Sequence, residues 1–238
     1  MVRRFAALFL GLSAALFGAG CAFVPAAPPI RERLGTPNYR AGPAGRARGI
    51  DAIVIHTTEG TWKKELSFAE NQARVYASTQ DWFLNKDAQV SAHFVISGEG
   101  EITRMVPDAD IAWHATYYNS RSIGIECAGW SDRPETWTPR LLDSLARLVA
   151  WLCWKHGVPC EQPEGDAVQG PFGFYAKHGV RGFNAAGIVG HCQVQTKGSE
   201  LVRKKADEIR SDPGPYFPWP EFIRRVKALR SRGRVPDP

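Results

Sequence analysis

The stretch Asp51-Ala-Ile-Val-Ile-His56-Thr-Thr decides how this chain is read. An apolar run ends at a histidine and two hydroxyl residues, the pattern of a buried strand that delivers an imidazole at its carboxyl end. Far downstream, Gly187-Ile-Val-Gly-His191 repeats the device, and Asp212-Pro-Gly-Pro sets a carboxylate on a rigid turn. Two histidines and one carboxylate brought together by folding would make a zinc site with one coordination position left for water.

Around that stretch the elements fall into an interleaved order. Ala52 to His56 reads as a strand and Ser67 to Ser78 as a helix, with Phe68 and Val75 on one side. Ala92 to Ile96 and Ile102 to Val106 flank the turn Gly98-Glu-Gly100 and read as a hairpin. Ile111-Ala-Trp-His114 is a short extended piece, and Ser122 to Cys127 is another strand. Thr138-Pro139 opens the clearest helix, with an N-cap and a first-turn proline. Its leucines (141, 142, 145, 148, 152) recur at helical spacing, and Gly157 ends it. Ile188 to Gly190 is the last strand, and Glu221 to Leu229 is a terminal helix. Strands interleaved with helices predict an α/β domain, a mixed sheet flanked by helices.

The chain has 238 residues, 44% of them apolar and 23% charged, which suits one soluble domain with a sizeable core. Its formal charge of +6 falls to +4 once Arg3 and Arg4 are set aside with a leader. That mild balance suits an anionic polymer or a membrane surface. With no basic-aromatic stripe and no nucleic-acid motif, nucleic acid is not an expected partner.

Residues 1–20 read as a signal peptide: Arg3-Arg4, an apolar run from Phe5 to Phe17, then Gly18-Ala-Gly before Cys21. The apolar run is too short for a convincing spanning helix. The end of the leader resembles the lipobox of bacterial lipoproteins, although Gly18 stands where a branched aliphatic residue is usual. Cys21 is then the lipidation site, and Ala22 after it resembles the outer-membrane sorting pattern. The expected location is the periplasm, anchored to the outer membrane. Residues 21–48, rich in Pro, Ala, Gly and Arg, are expected to be a flexible tether whose end could pack on the domain. The catalytic domain is placed at 49–230, with a tail at 231–238.

Four further cysteines suit an oxidising compartment. Cys153 and Cys160 flank a helix end and could close a short loop, whereas Cys127 and Cys192 could pair or lie buried as free thiols. No cysteine sits in an activated-thiol motif, so a cysteine nucleophile is not expected.

Six stretches carry a resemblance in order: Ile53 to Thr58, Val90 to Ile96, Ile111 to Ala115, Asn119 to Glu126, Val189 to His191 and Asp212 to Pro215. Over about residues 50 to 222 the chain resembles the zinc-dependent N-acetylmuramoyl-L-alanine amidases. That family includes phage lysozyme-type amidases and the peptidoglycan recognition proteins. The resemblance implies one zinc ion held by His56, His191 and Asp212. It also implies an acidic catalytic residue at Glu126, and a peptidoglycan or muropeptide substrate cut between N-acetylmuramic acid and L-alanine. The family often carries Lys two residues before the aspartate ligand. Arg210 stands there, keeping the charge for oxyanion stabilisation but unable to give up a proton.

His114 and Trp113 are expected along the substrate groove. His93 is placed with them as a substrate-binding candidate, although its strand position favours a structural role or hydrogen-bonding beside the site. Trp62 and Trp130 could stack on sugar or pack in the core, and His156 suits a helix C-terminus. His178 lies in the 161–186 stretch, which reads as an insertion shaping the groove. The loop from His191 to Asp212 is long and could hold an extra helix. Asp207 within it is a weaker ligand candidate than Asp212, because Asp212-Pro-Gly-Pro is followed by Phe217-Pro-Trp219 as the family pattern asks. A monomer is expected. Two other classes stand beside the enzyme: a peptidoglycan-binding module on the same fold and a structural envelope lipoprotein. The complete ligand set and Glu126 count against both.

Overall fold

In chain order the elements are β1 (Arg31–Glu32), β2 (Tyr39–Arg40), β3 (Ala52–Thr57), α1 (Phe68–Leu84), β4 (Phe94–Ile96), β5 (Ile102–Arg104), β6 (Ile111–Ala112), β7 (Ser122–Cys127), α2 (Pro139–His156), β8 (Gly187–Gly190) and α3 (Trp219–Ser231). The computed structural model describes residues 24–42, 46, 49–164, 185–194 and 210–231. The leader with Cys21, most of the 161–186 stretch with His178, the expected extra helix with Asp207, and the tail beyond Ser231 lie outside the described residues.

The main sheet has the order β1-β5-β4-β7-β3-β8. The β4–β5 pair is the antiparallel hairpin, while β4–β7, β7–β3 and β3–β8 are parallel. The sheet is therefore mixed, as expected, with β2 and β6 as a separate antiparallel pair.

Alternation along the strands sorts side chains into two layers. Ile53 and Ile55 of β3, Ile123 and Ile125 of β7, and Phe94 and Ile96 of β4 pack with Leu141, Leu145, Leu148 and Leu152 of α2, and with Phe222 and Val226 of α3. Burying each of those leucines contributes about 1.5–3 kcal/mol. The opposite face carries Ala52, Val54 and Val189, and Val95 under Val75, Tyr76 and Phe83 of α1. That second face is where His56, Ser122, Gly124 and Glu126 emerge, because each lies an even number of residues from Ala52 or Ser122.

Helix α2 begins and ends as its sequence asks. Thr138 Oγ1 accepts from Leu141 N–H at 3.1 Å, Pro139 fills the first position, and Gly157 stops the helix with φ 71°. Helix α1 opens with a reciprocal capping box between Ser67 and Glu70. It runs to Leu84, past the expected end at Ser78, because its polar last turns are held by distant groups. Gln80 is buried, and its Oε1 accepts from Arg33 Nη1 at 3.2 Å.

Those groups come from the stretch expected to be a tether. From 24 to 42 it lies against the domain, with β1 paired to β5 and β2 to β6. Thr36 and Asn38 are buried. Thr36 donates to Phe83 O, and Asn38 Nδ2 donates to Phe83 O at 3.0 Å and Asn85 O at 2.7 Å. The segment thereby satisfies carbonyls that the end of α1 leaves open. Its composition builds no apolar core, but it needs none to be held by backbone hydrogen bonds.

A buried ion cluster fastens the β5–β6 connection to α2. Asp108 Oδ2 lies 2.7 Å from Lys155 Nζ and 3.0 Å from His156 Nε2. Burial pushes the Asp108 carboxyl up, but His156 and Lys155 outweigh it and hold the group well below the usual carboxylate range. A depressed folded value means the stabilisation is present above the unfolded carboxyl pKa, near 4, and is lost as pH falls through the folded value. Asp108→Asn is expected to cost about 2 kcal/mol at pH 7, Lys155 being partly solvated. Parallel denaturation series at pH 7 and pH 3 check it: the gap between mutant and parent should narrow at the lower pH.

Cys127, Cys153, Cys160 and Cys192 are all buried, and Cys127, Cys153 and Cys160 are free thiols. Cys127 packs under α2 on the face away from His56. The thiol of Cys153 and the guanidinium of Arg230, 3.3 Å from Cys160 Sγ, pull the Cys160 thiol below its ordinary value.

Candidate metal centre and cleft

His56 is the fifth residue of β3, and its register partner on β7 is Glu126. Strand β8 lies on the other side of β3 and ends at Gly190, so His191 opens the following 3-10 turn beside His56. The backbone of Cys192 in that turn donates to Asp212 O at 2.8 Å, which ties the Asp-Pro-Gly-Pro turn to the second histidine. The three ligand candidates therefore converge by strand pairing and one backbone hydrogen bond.

Their ligand atoms form a near-equilateral triangle. His56 Nδ1 is 3.0 Å from His191 Nδ1 and 3.2 Å from Asp212 Oδ2, and His191 Nδ1 is 3.1 Å from Asp212 Oδ2. Burial, then the neighbouring His191, depress His56 to about 4, so its imidazole is neutral at neutral pH. Burial pushes Asp212 up, but the two histidines override this and hold the carboxyl far below its ordinary value. Two imidazoles and one carboxylate, mutually about 3 Å apart, are a donor set that fits a divalent metal ion.

Glu126 stands next to this cluster. Its Oε2 is buried and has no hydrogen-bond partner among the described residues. Burial, then the charge of Asp212, push its carboxyl well above the usual range, with Arg210 pulling the other way. A carboxyl held in reserve like this suits proton transfer.

The centre opens into a cleft of about 660 Å³ whose walls include Glu126, Arg210, Trp113 and His114. Arg210, Trp113 and His114 thus all reach the cleft. His114 does more than line it, because its Nδ1 lies 3.0 Å from His56 Nε2. His93 does not line the cleft. It is fully buried, takes the Gly124 N–H on Nδ1 at 3.0 Å, and meets Asp110 O through Nε2 at 3.2 Å. With both nitrogens engaged it has no group to offer a substrate, so its role beside the groove is structural.

Trp62 and Trp130 pack on each other and on Phe68 rather than facing a sugar, and Trp130 is buried. The aromatic wall comes instead from Trp113 and from Trp82, 51% exposed, with Val90 also in the cleft lining. Trp82 lies on the part of α1 beyond Ser78, where no periodic apolar signal marks a helix. Arg74 and Glu59 also line the cleft. Glu59 has φ 50°, and its Oε1 accepts from Thr57 Oγ1 at 2.6 Å and Ser131 N–H at 2.7 Å. Its place directly after His56-Thr-Thr was the available signal.

A buried His–His–carboxylate cluster beside an uncommitted acid, at the mouth of a cleft, is the kind of centre found in metal-dependent hydrolases. Residues 46–215 match the family described as N-acetylmuramoyl-L-alanine amidase. N-acetylmuramoyl-L-alanine amidase A of Achromobacter lyticus is 33% identical over 196 residues, covering 82% of this chain and 93% of that protein. The chain belongs to the N-acetylmuramoyl-L-alanine amidase family. The 1,6-anhydro-N-acetylmuramyl-L-alanine amidase AmpD of Salmonella typhimurium is 28% identical over 151 residues, 60% of each chain. The fold is shared with Staphylococcus aureus hydrolase AmiA, at a TM-score of 0.51 and 16% identity, over 86% of this chain and 84% of that one.

Proposed function

We propose that this chain is a zinc-dependent amidase that hydrolyses the bond between N-acetylmuramic acid and L-alanine in peptidoglycan or its fragments. The observation that carries this is the triangle of His56 Nδ1, His191 Nδ1 and Asp212 Oδ2 beside a partnerless Glu126 Oε2. The chemistry that zinc supplies when held by those residues is Lewis-acid polarisation of a carbonyl and acidification of water.

The chain's own residues divide the remaining work. Glu126 takes a proton from the attacking water at its carboxylate and returns it to the leaving amine of L-alanine. Its Oε2 is shielded from solvent while the residue itself lines the cleft. Arg210 brings a permanent positive charge to the cleft wall, where it offsets charge developing on the carbonyl oxygen. A binding-only module would leave the partnerless Glu126 carboxyl without a purpose.

Muropeptide digestion by the mature domain, with products identified by mass spectrometry, tests the proposal. Separate muramyl sugar and L-alanine-headed peptide, lost on chelation and regained with zinc, are the expected products. Intact substrate with stoichiometric zinc bound would overturn it. Trp82→Ala is expected to raise KM about 3–10-fold with kcat nearly unchanged, since it removes a binding wall distant from the reacting centre. Steady-state kinetics on the same muropeptide check this.

The location is proposed from the leader alone: lipidation at Cys21 and retention at the outer membrane. Its apolar run and small-residue end before the cysteine support this. Metabolic labelling with a fatty-acid analogue should mark the wild type and spare Cys21→Ala. No helix among the described residues is long and apolar enough to cross a membrane.

A further inference from the structure

We propose that Ser122 and His114 form a hydrogen-bond relay, anchored on the Tyr118 carbonyl, that fixes the tautomer of His56 and leaves Nδ1 free to bind zinc. The inference rests on the metal site proposed above and assigns two positioning residues to it.

The relay can be followed proton by proton. Ser122 Oγ lies 2.8 Å from Tyr118 O. A carbonyl has no proton to give, so the hydroxyl donates and its only hydrogen is spent. His114 Nε2 lies 3.2 Å from that same Oγ. Ser122 can then only accept, which places the His114 ring proton on Nε2. The neutral ring therefore carries a lone pair on Nδ1, which faces His56 Nε2 at 3.0 Å. His56 must donate there, so its proton sits on Nε2 and its lone pair on Nδ1. That atom is the one 3.0 Å from His191 Nδ1 and 3.2 Å from Asp212 Oδ2. The chain ends in a backbone carbonyl, which neither ionises nor rotates away, so the assignment is fixed by the fold.

The surroundings hold the relay ring in place. Asn119 Oδ1 accepts from the N–H groups of His114 and Ala115 at 3.0 and 2.6 Å. Position 124 must lack a side chain, since a Cβ there would come within 2.5 Å of His114 Cγ. His93 approaches from the other side with ring centroids 5.8 Å apart, but both its nitrogens are engaged elsewhere. It cannot divert the His114 lone pair.

The test uses the mature chain. Long-range proton–nitrogen NMR of the zinc-free wild type reads the tautomers, and chelator competition reads zinc affinity. The expected spectrum has His56 and His114 both protonated at Nε2. His114→Ala should weaken zinc about 10–100-fold, the usual range for removing a group that orients a ligand. His114→Asn retains a carbonyl acceptor near Nδ1 and should recover much of that loss. Ser122→Ala should weaken zinc by a smaller factor, up to about tenfold, and leave His114 a mixture of tautomers. Two results would overturn the relay: His56 protonated at Nδ1 in the wild type, or zinc affinity unchanged in folded His114→Ala and Ser122→Ala. If His114→Ala does not fold, the wild-type spectrum and Ser122→Ala still decide. A wild type that takes up no zinc would instead sink the metal site, while its spectrum still reports the tautomers.

Discussion

Glu126→Gln is expected to lower kcat about 10³-fold while leaving zinc content at one ion per chain. That loss corresponds to about 4 kcal/mol of transition-state stabilisation. Glutamine keeps the shape of the side chain, so the cleft and the three ligand residues should stay where they are. What disappears is a group able to accept and return a proton. The acid limb of the pH profile is a second readout. Burial and Asp212 raise the Glu126 carboxyl, and Arg210 moderates this. Only the deprotonated form can take a proton, so the wild-type rate should rise as pH climbs through that raised value. In Glu126→Gln the residual rate should lack this limb. A variant within about threefold of the parent would remove Glu126 from the reaction, because general acid–base groups contribute at least about 10²-fold.

Asp212→Ala is expected to lower zinc affinity on the order of 10²–10³-fold, more than a change in an orienting neighbour brings. Metal analysis after dialysis should fall from one zinc per chain to a small fraction, and hydrolysis should fall with it. Asp212 is the only anion of the triad, and it sits 3.1–3.2 Å from both imidazoles. Without it, a divalent ion entering the site meets two imidazole donors and no compensating negative charge. Excess zinc in the assay separates the two parts of the effect. Activity regained at high zinc would show weakened affinity alone, whereas no recovery would show that the carboxylate also shapes the reactive geometry. Full zinc retention after dialysis would mean that another residue supplies the anionic ligand.

The relay and the triad together show why the second sphere of this site was hidden. His114 stands in Ala-Trp-His-Ala, a short segment whose pattern says only that it is extended. Its partner is 58 positions away in the chain. The same holds for Trp82, reached through a helix longer than its apolar periodicity indicates, and for the 24–42 segment. That segment is secured by Thr36 and Asn38 reaching the open carbonyls of α1. Side-chain bonds to distant backbone leave no periodic trace in a sequence. His93 illustrates the converse: its strand was legible, yet only the positions of Gly124 N–H and Asp110 O reveal that both its nitrogens are engaged.

Local patterns along the chain specify the strands that carry His56, Glu126 and His191, the cap and stop of α2, and the carboxylate turn at Asp212. Each is encoded by local steric and solvation rules: two-residue alternation, a leucine stripe, a threonine before a proline, a glycine in the left-handed region. Tertiary structure alone decided that the three ligand atoms meet within 3.2 Å and that Glu126 Oε2 lacks a partner. It alone decided which nitrogen of His56 faces His191 and Asp212. Those properties depend on distances between atoms far apart in the chain, and hydrogen bonding and burial are set by such distances rather than by neighbours in sequence.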